Sequence, residues 1–386
     1  MMRIFKIYLF CLIFNLFFVS FCYSQSIVPV PTLIEPPDAV SSGMGYVGTA
    51  GTSDINSSYW NPAGLGFLKK TIIPDGLWLN DSESDTMSYF EITSTDKFLL
   101  KYDNGTFSYE NLTAGLYIES FGTLALDLAY SDYGEMTRTH ESGFVLGKYS
   151  PNELYISLAY GGQIEDDWGI GLALKYLLSN VVPEASPGFT QHGVSSGYAY
   201  DVGVLWKPKK LNLLNLDLGN ALALGITFKN LGPKIEYGSE SEPIPAQFRF
   251  GASIDLTKYK MKNLKIGFDI SKLLVYYSNS VTYIDSDTIL KSDSDPYPKS
   301  LISGWKNPGF EFGIGAEYWY ENYFALRAGY NTEPSYSGNR KSLTFGGSFK
   351  LYFFQVDVSY NYSSGDMKYL ANALRFSLRI GGNSVK

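Results

Sequence analysis

From about Met87 onward the chain alternates apolar with small or polar residues, in segments separated by turn residues. In Trp168–Tyr176, Trp168, Ile170, Leu172, Leu174 and Tyr176 share one face and Gly169, Gly171, Ala173 and Lys175 the other. Period-two alternation of this length predicts strands with one apolar side. The same pattern returns around Leu124–Tyr130, Tyr200–Trp206, Phe248–Asp255, Leu264–Ile270, Phe310–Tyr320, Phe324–Asn331, Val356–Asn361 and Leu374–Ile380. At about ten residues per crossing, the span from Ser84 to Gly381 holds roughly 14 strands.

The apolar faces tend to begin or end in Tyr or Trp, as a girdle at a lipid boundary requires. The opposite faces mix Gly and Ala with isolated charges. A charge on a lipid face at mid-depth costs a few kcal/mol, so these side chains are assigned to a lumen. Asp127, Lys175, Asp201, Arg249, Asp255, Asp269, Glu311, Glu317, Arg327, Asp357, Arg375 and Arg379 are therefore expected to point inward. Because the two signs are interleaved, a salt-bridged, filled interior is favoured over a polar solute path. The alternative architecture, a large soluble sandwich or solenoid, accounts less well for the aromatic strand ends.

Composition agrees with this reading. Charged residues make up 18% of the chain, against roughly 25% in soluble domains. Aromatics reach 16%, yet mean hydropathy is only −0.08, and no segment after the leader is long and apolar enough for a spanning helix. An all-β transmembrane barrel fits, since only alternate residues face lipid. A net charge of −7 without a basic patch excludes a nucleic-acid partner.

The first 24 residues are expected to be a cleaved export signal: Arg3 and Lys6 precede an apolar run, Ile7–Phe21, that is shorter than the about 20 residues a spanning helix needs. Cys22 as a lipidation site is the minor reading. Both cysteines, Cys11 and Cys22, fall in this leader, so the exported chain is expected to lack disulfides and thiol chemistry.

Between leader and strands lie residues 25–75, whose stretch from Asp38 to Leu68 is rich in Gly and Ser and carries almost no charge. Its Gly content and internal Pro argue against a strand. A plug, or hatch, that fits inside the barrel of residues 76–386 suits it better. Asp54 is expected to cap a short helix. Asn61 forms a turn and Pro62 restricts it, while Ala63 and Gly64 allow close approach to the wall. Asn56, Tyr59 and Trp60 complete this candidate site, the two aromatics supplying bulk. It is either a packing plug or a gate that shifts when ligand arrives.

Candidate chemistry is sparse. His140 and His192 are the only histidines, both in loop-like contexts, and exposed loop histidines are favoured over a Ser–His hydrolase. The Asp285–Asp295 loop lacks EF-hand spacing and is assigned to solvent rather than Ca²⁺. Gly43, Gly45, Gly48 and Gly51 do not form a phosphate loop. No enzyme activity, cofactor or metal is expected.

Gly43-Met44-Gly45-Tyr46-Val47-Gly48, Asp54 and Tyr59-Trp60-Asn61-Pro62-Ala63-Gly64-Leu65 together resemble the N-terminal region of the FadL-type outer-membrane superfamily, most of all its PorV/PorQ branch. Lys229–Pro233, Pro245–Ala252, Gly315–Tyr318 and Leu326–Tyr330 resemble recurring pieces of that branch. The resemblance implies a 14-stranded barrel in the outer membrane of a Gram-negative-type bacterium, its lumen plugged by a hatch containing Asn61-Pro62-Ala63. It also implies outer-membrane lipid as a partner. For the PorV-like branch it implies a role in type IX secretion, receiving secreted proteins with C-terminal sorting domains at the outer face, with Asn180–Gly197 and Asn279–Pro308 as exposed docking loops. For FadL-type proteins it implies passage of long-chain fatty acids or other hydrophobic small molecules. A structural surface protein is a third alternative.

Overall fold

The computed structural model describes residues 30–68, 90–99, 107–118, 120–140, 142–181, 194–213, 216–237, 240–256, 263–284, 287–307, 309–334, 339–364 and 372–381. The expected signal and Cys22, Ser84, His192 and the 75/76 boundary lie outside them.

Fourteen strands close into one antiparallel barrel. In chain order they are β1 (Phe90–Leu99), β2 (Ser108–Ile118), β3 (Gly122–Asp132), β4 (Asn152–Ile164), β5 (Trp168–Asn180), β6 (Ser195–Trp206) and β7 (Leu222–Leu231). They continue as β8 (Gln247–Asp255), β9 (Leu264–Leu273), β10 (Glu311–Tyr320), β11 (Phe324–Thr332), β12 (Lys341–Leu351), β13 (Phe354–Ser364) and β14 (Ala373–Gly381). Each strand pairs with its chain neighbour, and β1 closes on β14 from Glu91↔Gly381 to Leu99↔Ala373. Closure leaves no unpaired edge, which is the condition for a sheet to cross a bilayer.

The burial pattern is inverted relative to a soluble protein. On β5, Ile170, Leu172, Leu174 and Tyr176 are exposed, while Gly169, Ala173, Lys175 and Leu177 are buried. On β3, Leu126 is exposed and Asp127 and Ala129 are buried. The apolar face therefore points outward around the barrel. No helix among the described residues is long and apolar enough to cross a membrane.

One irregularity breaks the wall. The β6–β7 register runs to Phe228↔Val202 and resumes at Leu231↔Tyr200. Two residues, Lys229 and Asn230, oppose Asp201 alone, and Asn230 takes a positive φ of 55°. Such a bulge turns both side chains inward, and both are buried.

The two ends differ. At one end β2–β3, β4–β5, β10–β11 and β12–β13 are joined by tight turns, while the connection from β6 to β7 is longer and carries the short hairpin Asn212–Leu213 with Leu216–Asp217. At the other, the connections are longer and carry hairpins of their own: Met136–Thr139 with Val145–Tyr149, Ile235–Tyr237 with Glu240–Glu242, and Tyr277–Ile284 with Asp287–Ser294. We refer to them as the turn end and the loop end.

Leu174 lies mid-strand on the outward face, beside inward Lys175. Leu174→Arg is expected to lower stability by about 2–4 kcal/mol in lipid vesicles. Denaturant titration of the refolded barrel measures this, and a cost near zero would rule out a lipid-facing position for that face.

Candidate functional site

Residues 30–68 follow the inner wall, and each stretch is held by a different set of strands. At the loop end Thr32 donates through Oγ1 to Glu153 (2.7 Å) on β4. Val30 and Leu33 enter an apolar cluster with Tyr109, Tyr155, Leu177, Ile235 and Tyr237. Glu35 then pairs with Lys97 (2.7 Å) on β1 and with Arg375 on β14. Asp38 caps the helix α1 (Ala39–Gly43), accepting from the Ser41 N–H at 2.7 Å, and its other oxygen accepts from Trp60 Nε1 at 3.1 Å.

Past α1 the chain meets the wall backbone to backbone. Gly45 has φ 71°, and a Cβ there would lie 2.6 Å from Ile314 O. Only glycine meets both demands. From the wall side, a Cβ on Gly315 would lie 2.2 Å from Met44 O, one on Gly225 2.5 Å from Thr49 O, one on Gly203 2.0 Å from Asn61 Oδ1, and one on Gly171 2.1 Å from Pro62 C. The inward glycines of β5, β6, β7 and β10 thus mark where this segment presses on the sheet.

Asp269 fixes the bend between these contacts. Its Oδ2 accepts from the N–H groups of Gly48 (3.1 Å) and Thr49 (2.9 Å), from Thr49 Oγ1 (2.7 Å) and from Arg249 Nη2 (3.0 Å). Arg249 also donates to Tyr46 O at 3.1 Å. One carboxylate and one guanidinium therefore satisfy the N–H groups of Gly48 and Thr49 and the carbonyl of Tyr46, beside the turn's backbone bond from the Thr52 N–H to Gly48 O at 3.3 Å.

The other candidate residues fall as follows. Asp54 does not cap the next helix, α2 (Ser57–Trp60), through its side chain; its Oδ1 accepts from the Asn56 N–H at 2.9 Å, and Asn56 is the N-cap residue, with no side-chain cap bond. Asp54 is instead clamped by Arg379 at 2.6 Å, which also lies 3.4 Å from Glu91. The Asn56 amide is buried and has no hydrogen-bond partner among the described residues; nothing in the structure explains it. Tyr59 and Trp60 stack edge-on at 5.0 Å, with Lys229 Nζ 3.2 Å from the Tyr59 ring centre and Arg249 4.9 Å from that of Trp60. Asn61 caps the following 3-10 turn (Pro62–Phe67), accepting from the Ala63 N–H at 3.2 Å, and its Nδ2 donates to Thr49 O and Val204 O. Ala63 approaches the wall, but Gly64 does not: its close contact is Ser57 of α2.

The inward charges divide into local clusters. Lys175 pairs with Asp201 at 2.7 Å and donates to Asn230 Oδ1 at 2.7 Å. Arg327 lies 2.6 Å from Glu317 and 3.5 Å from Asp357. Among the described residues Asp127 has no ion pair; Asn111, Thr113 and Tyr155 hydrogen-bond it. Glu311 accepts from Ser271 at 2.5 Å. Asp255 has inward parity but stands exposed at the rim. At the loop end, outside the strands, Arg340 donates twice to Glu333, whose burial outweighs this cation and pushes the carboxyl up to about 7. A cavity of about 460 Å³ opens beneath α1, lined among others by Asp54, Glu91, Lys207, Lys265, Lys350 and Arg379.

Glu35, Glu91, Lys97, Glu153 and Lys229 belong to this arrangement and were not singled out by pattern. Glu35 carried a signal, being an acid within the apolar Leu33-Ile34 and Pro36-Pro37 surroundings. His140 is exposed, and its ring nitrogen bonds Ser142. Asn279–Pro308 is not a plain exposed loop: it contains the hairpin above and a helix, α3 (Ser300–Ser303), with Ser300, Ser303 and Gly304 buried. Of the acidic loop, Asp285 lies outside the described residues, as do 182–193 of the other long connection, while Asp295 pairs with Lys299 at 2.7 Å. Among the described residues no group of three or more metal-ligating side chains occurs.

A bulky residue at Gly203 has no space beside Asn61. Gly203→Val is expected to dislodge the Asn61–Ala63 turn and raise ion conductance in planar bilayers above that of the parent barrel. Unchanged conductance would show that this contact does not hold the segment in place.

Comparison with known proteins adds the family. A family model described as type IX secretion system protein PorV matches residues 24–280. No curated protein matches the chain. Among solved structures, the TodX deltaS2S3 mutant monoaromatic hydrocarbon channel is 13% identical with a TM-score of 0.53, covering 89% of this chain and 98% of that one. The Pseudomonas putida toluene transporter TodX is 14% identical with a TM-score of 0.50, covering 88% and 95%. A Pseudomonas aeruginosa FadL homologue is 10% identical with a TM-score of 0.50, covering 90% and 98%. At such identities the likeness is one of fold, and the family assignment comes from the sequence match. The chain belongs to the PorV family of type IX secretion proteins, built on the barrel fold of FadL-like channels.

Proposed function

We propose that this protein is a non-enzymatic outer-membrane barrel that serves type IX secretion, docking exported proteins that carry C-terminal sorting domains at its outer face. The loop end is the outer side in this reading, since barrels keep their long connections there. The observation that carries it is the filled lumen. Ion pairs, hydrogen-bonded carboxylates and backbone contacts occupy the interior, and removing one partner of a buried pair costs about 3–5 kcal/mol. The cavity of about 460 Å³ at the turn end is lined largely by charged and polar side chains, a poor surface for an apolar solute. An interior held in this way supports a scaffold for the rim better than a conduit.

The fold neighbours keep a second reading in view: TodX is a toluene transporter. By that reading the Tyr59–Trp60 pair is a gate, with hydrophobic solutes passing between the N-terminal segment and the wall.

Removing the hairpin tip from Asn279 to Ser292 is expected to abolish surface attachment of secreted proteins with sorting domains, leaving uptake of long-chain fatty acids unchanged. Trp60→Ala is expected to leave both unchanged. Attachment that survives the deletion, together with uptake that responds to Trp60→Ala, would replace secretion docking with the channel reading.

A further inference from the structure

The stretch from Asp295 to Phe310 does not stand above the barrel mouth. It folds down over the outside of the wall. Tyr297 and Leu301 pack, together with outward-facing Tyr200, Phe228 and Phe248, on a buried cluster of Leu231, Ala246 and Leu274, and the Tyr297 ring lies 6.3 Å from that of Tyr200. Tyr200, Phe228 and Phe248 share strand parity with Val202, Val204 and Ile226, which are exposed on the lipid-facing surface below. Trp305 lies 5.3 Å from Phe248 and 6.4 Å from Phe310, and Phe310 lies 6.4 Å from outward Phe312. The stretch thus joins an aromatic band that continues on the barrel strands.

Lys272 makes the placement chemically specific. It follows Ile266, Phe268 and Ile270 on the outward parity of β9, where a bare ammonium would face lipid. Instead it is 2% exposed, and its Nζ donates to the carbonyls of Asn307 and of Gly309, the latter at 2.9 Å. The stretch therefore covers a charge on the membrane-facing wall. Its own outer side shows Ile302 at 78% and Trp305 at 45% exposure, flanked by Lys299 and Lys306. An apolar residue and a Trp between two lysines match the boundary between acyl chains and headgroups.

We propose that Asp295–Phe310 is an interfacial foot, with Ile302 and Trp305 seated in the lipid of the loop-end leaflet and Lys299 and Lys306 at its phosphates. The proposal goes beyond the secretion reading and does not rest on it, because a barrel of either function carries the same wall. It divides the long β9–β10 connection into two parts. The part up to Ser294 forms the hairpin, and the part after it covers the wall.

Site-directed spin labelling tests it in the full-length barrel, with Cys11→Ser and Cys22→Ser as background, in phosphatidylethanolamine–phosphatidylglycerol vesicles. A nitroxide on Ile302→Cys is compared with one on Leu174→Cys, on the lipid-facing strand surface, and one on Ser142→Cys, at an exposed hairpin turn. The expected result is high accessibility to oxygen at 302, near that at 174, and accessibility to a water-soluble nickel chelate severalfold below that at 142. Nickel accessibility equal to that at 142 would overturn the proposal. So would a label reached by neither probe, or one that becomes shielded only when a secreted protein is added.

Discussion

Closure of β1 on β14 is the constraint from which the rest follows. These strands lie at opposite ends of the barrel sequence, yet they pair continuously from Glu91↔Gly381 to Leu99↔Ala373. In hydrocarbon each unpaired backbone group costs several kcal/mol, so an open fourteen-stranded sheet is not an option there. Closure settles the diameter, and with it a problem of volume. A barrel of about eight strands can be filled by its own side chains; one of fourteen cannot. The inward residues here are mostly small, and the remaining space takes a second piece of chain.

That piece meets the wall in two ways, which divide the work. Backbone-to-backbone contacts, as at Gly315 with Met44 and Gly171 with Pro62, bring the surfaces close but fix position weakly along the groove. The ion pairs fix position. A buried pair contributes little net stability because desolvation offsets most of its Coulomb attraction, but a misplaced segment leaves charges stranded at a cost of about 3–5 kcal/mol. Arg379 opposite Asp54, Arg375 and Lys97 opposite Glu35, and Asp269 under the Gly48–Thr49 amides act as three registers along one path. The interior is therefore better described as specified than as tightly glued.

This division explains what the sequence showed and what it withheld. Strand alternation is local, so β3, β5 and β10 could be read directly, as could the inward parity of Asp127, Lys175 and Arg327. The odd composition of Asp38–Leu68 marked a segment that is neither strand nor ordinary loop. Partners were hidden because they are remote: Asn61 meets Gly203, and Thr49 meets Asp269, across more than a hundred residues. Gly64 was misjudged for a local reason, since its neighbour is Ser57 on the preceding helix rather than the wall. Lys272 left a visible trace, a charge at the next outward position after Ile266, Phe268 and Ile270. Its meaning depends on Asn307 and Gly309 folding back, which no periodicity encodes.

The same logic narrows where recognition can reside. At the loop end Ile235, Tyr237 and Tyr155 pack with Val30 and Leu33, so the N-terminal segment and the rim share one apolar core. Rearrangement of the N-terminal segment is thereby coupled to the rim through that core. Of the long β9–β10 connection, the half that buries Lys272 is committed to the wall. Under the proposed secretion reading, an aqueous partner would meet the hairpin of Met136–Thr139 and Val145–Tyr149, whose residues are exposed or half-buried. In that reading the lumen's part is to hold the rim at a fixed diameter and orientation, since the N-terminal segment is bonded to strands around the barrel.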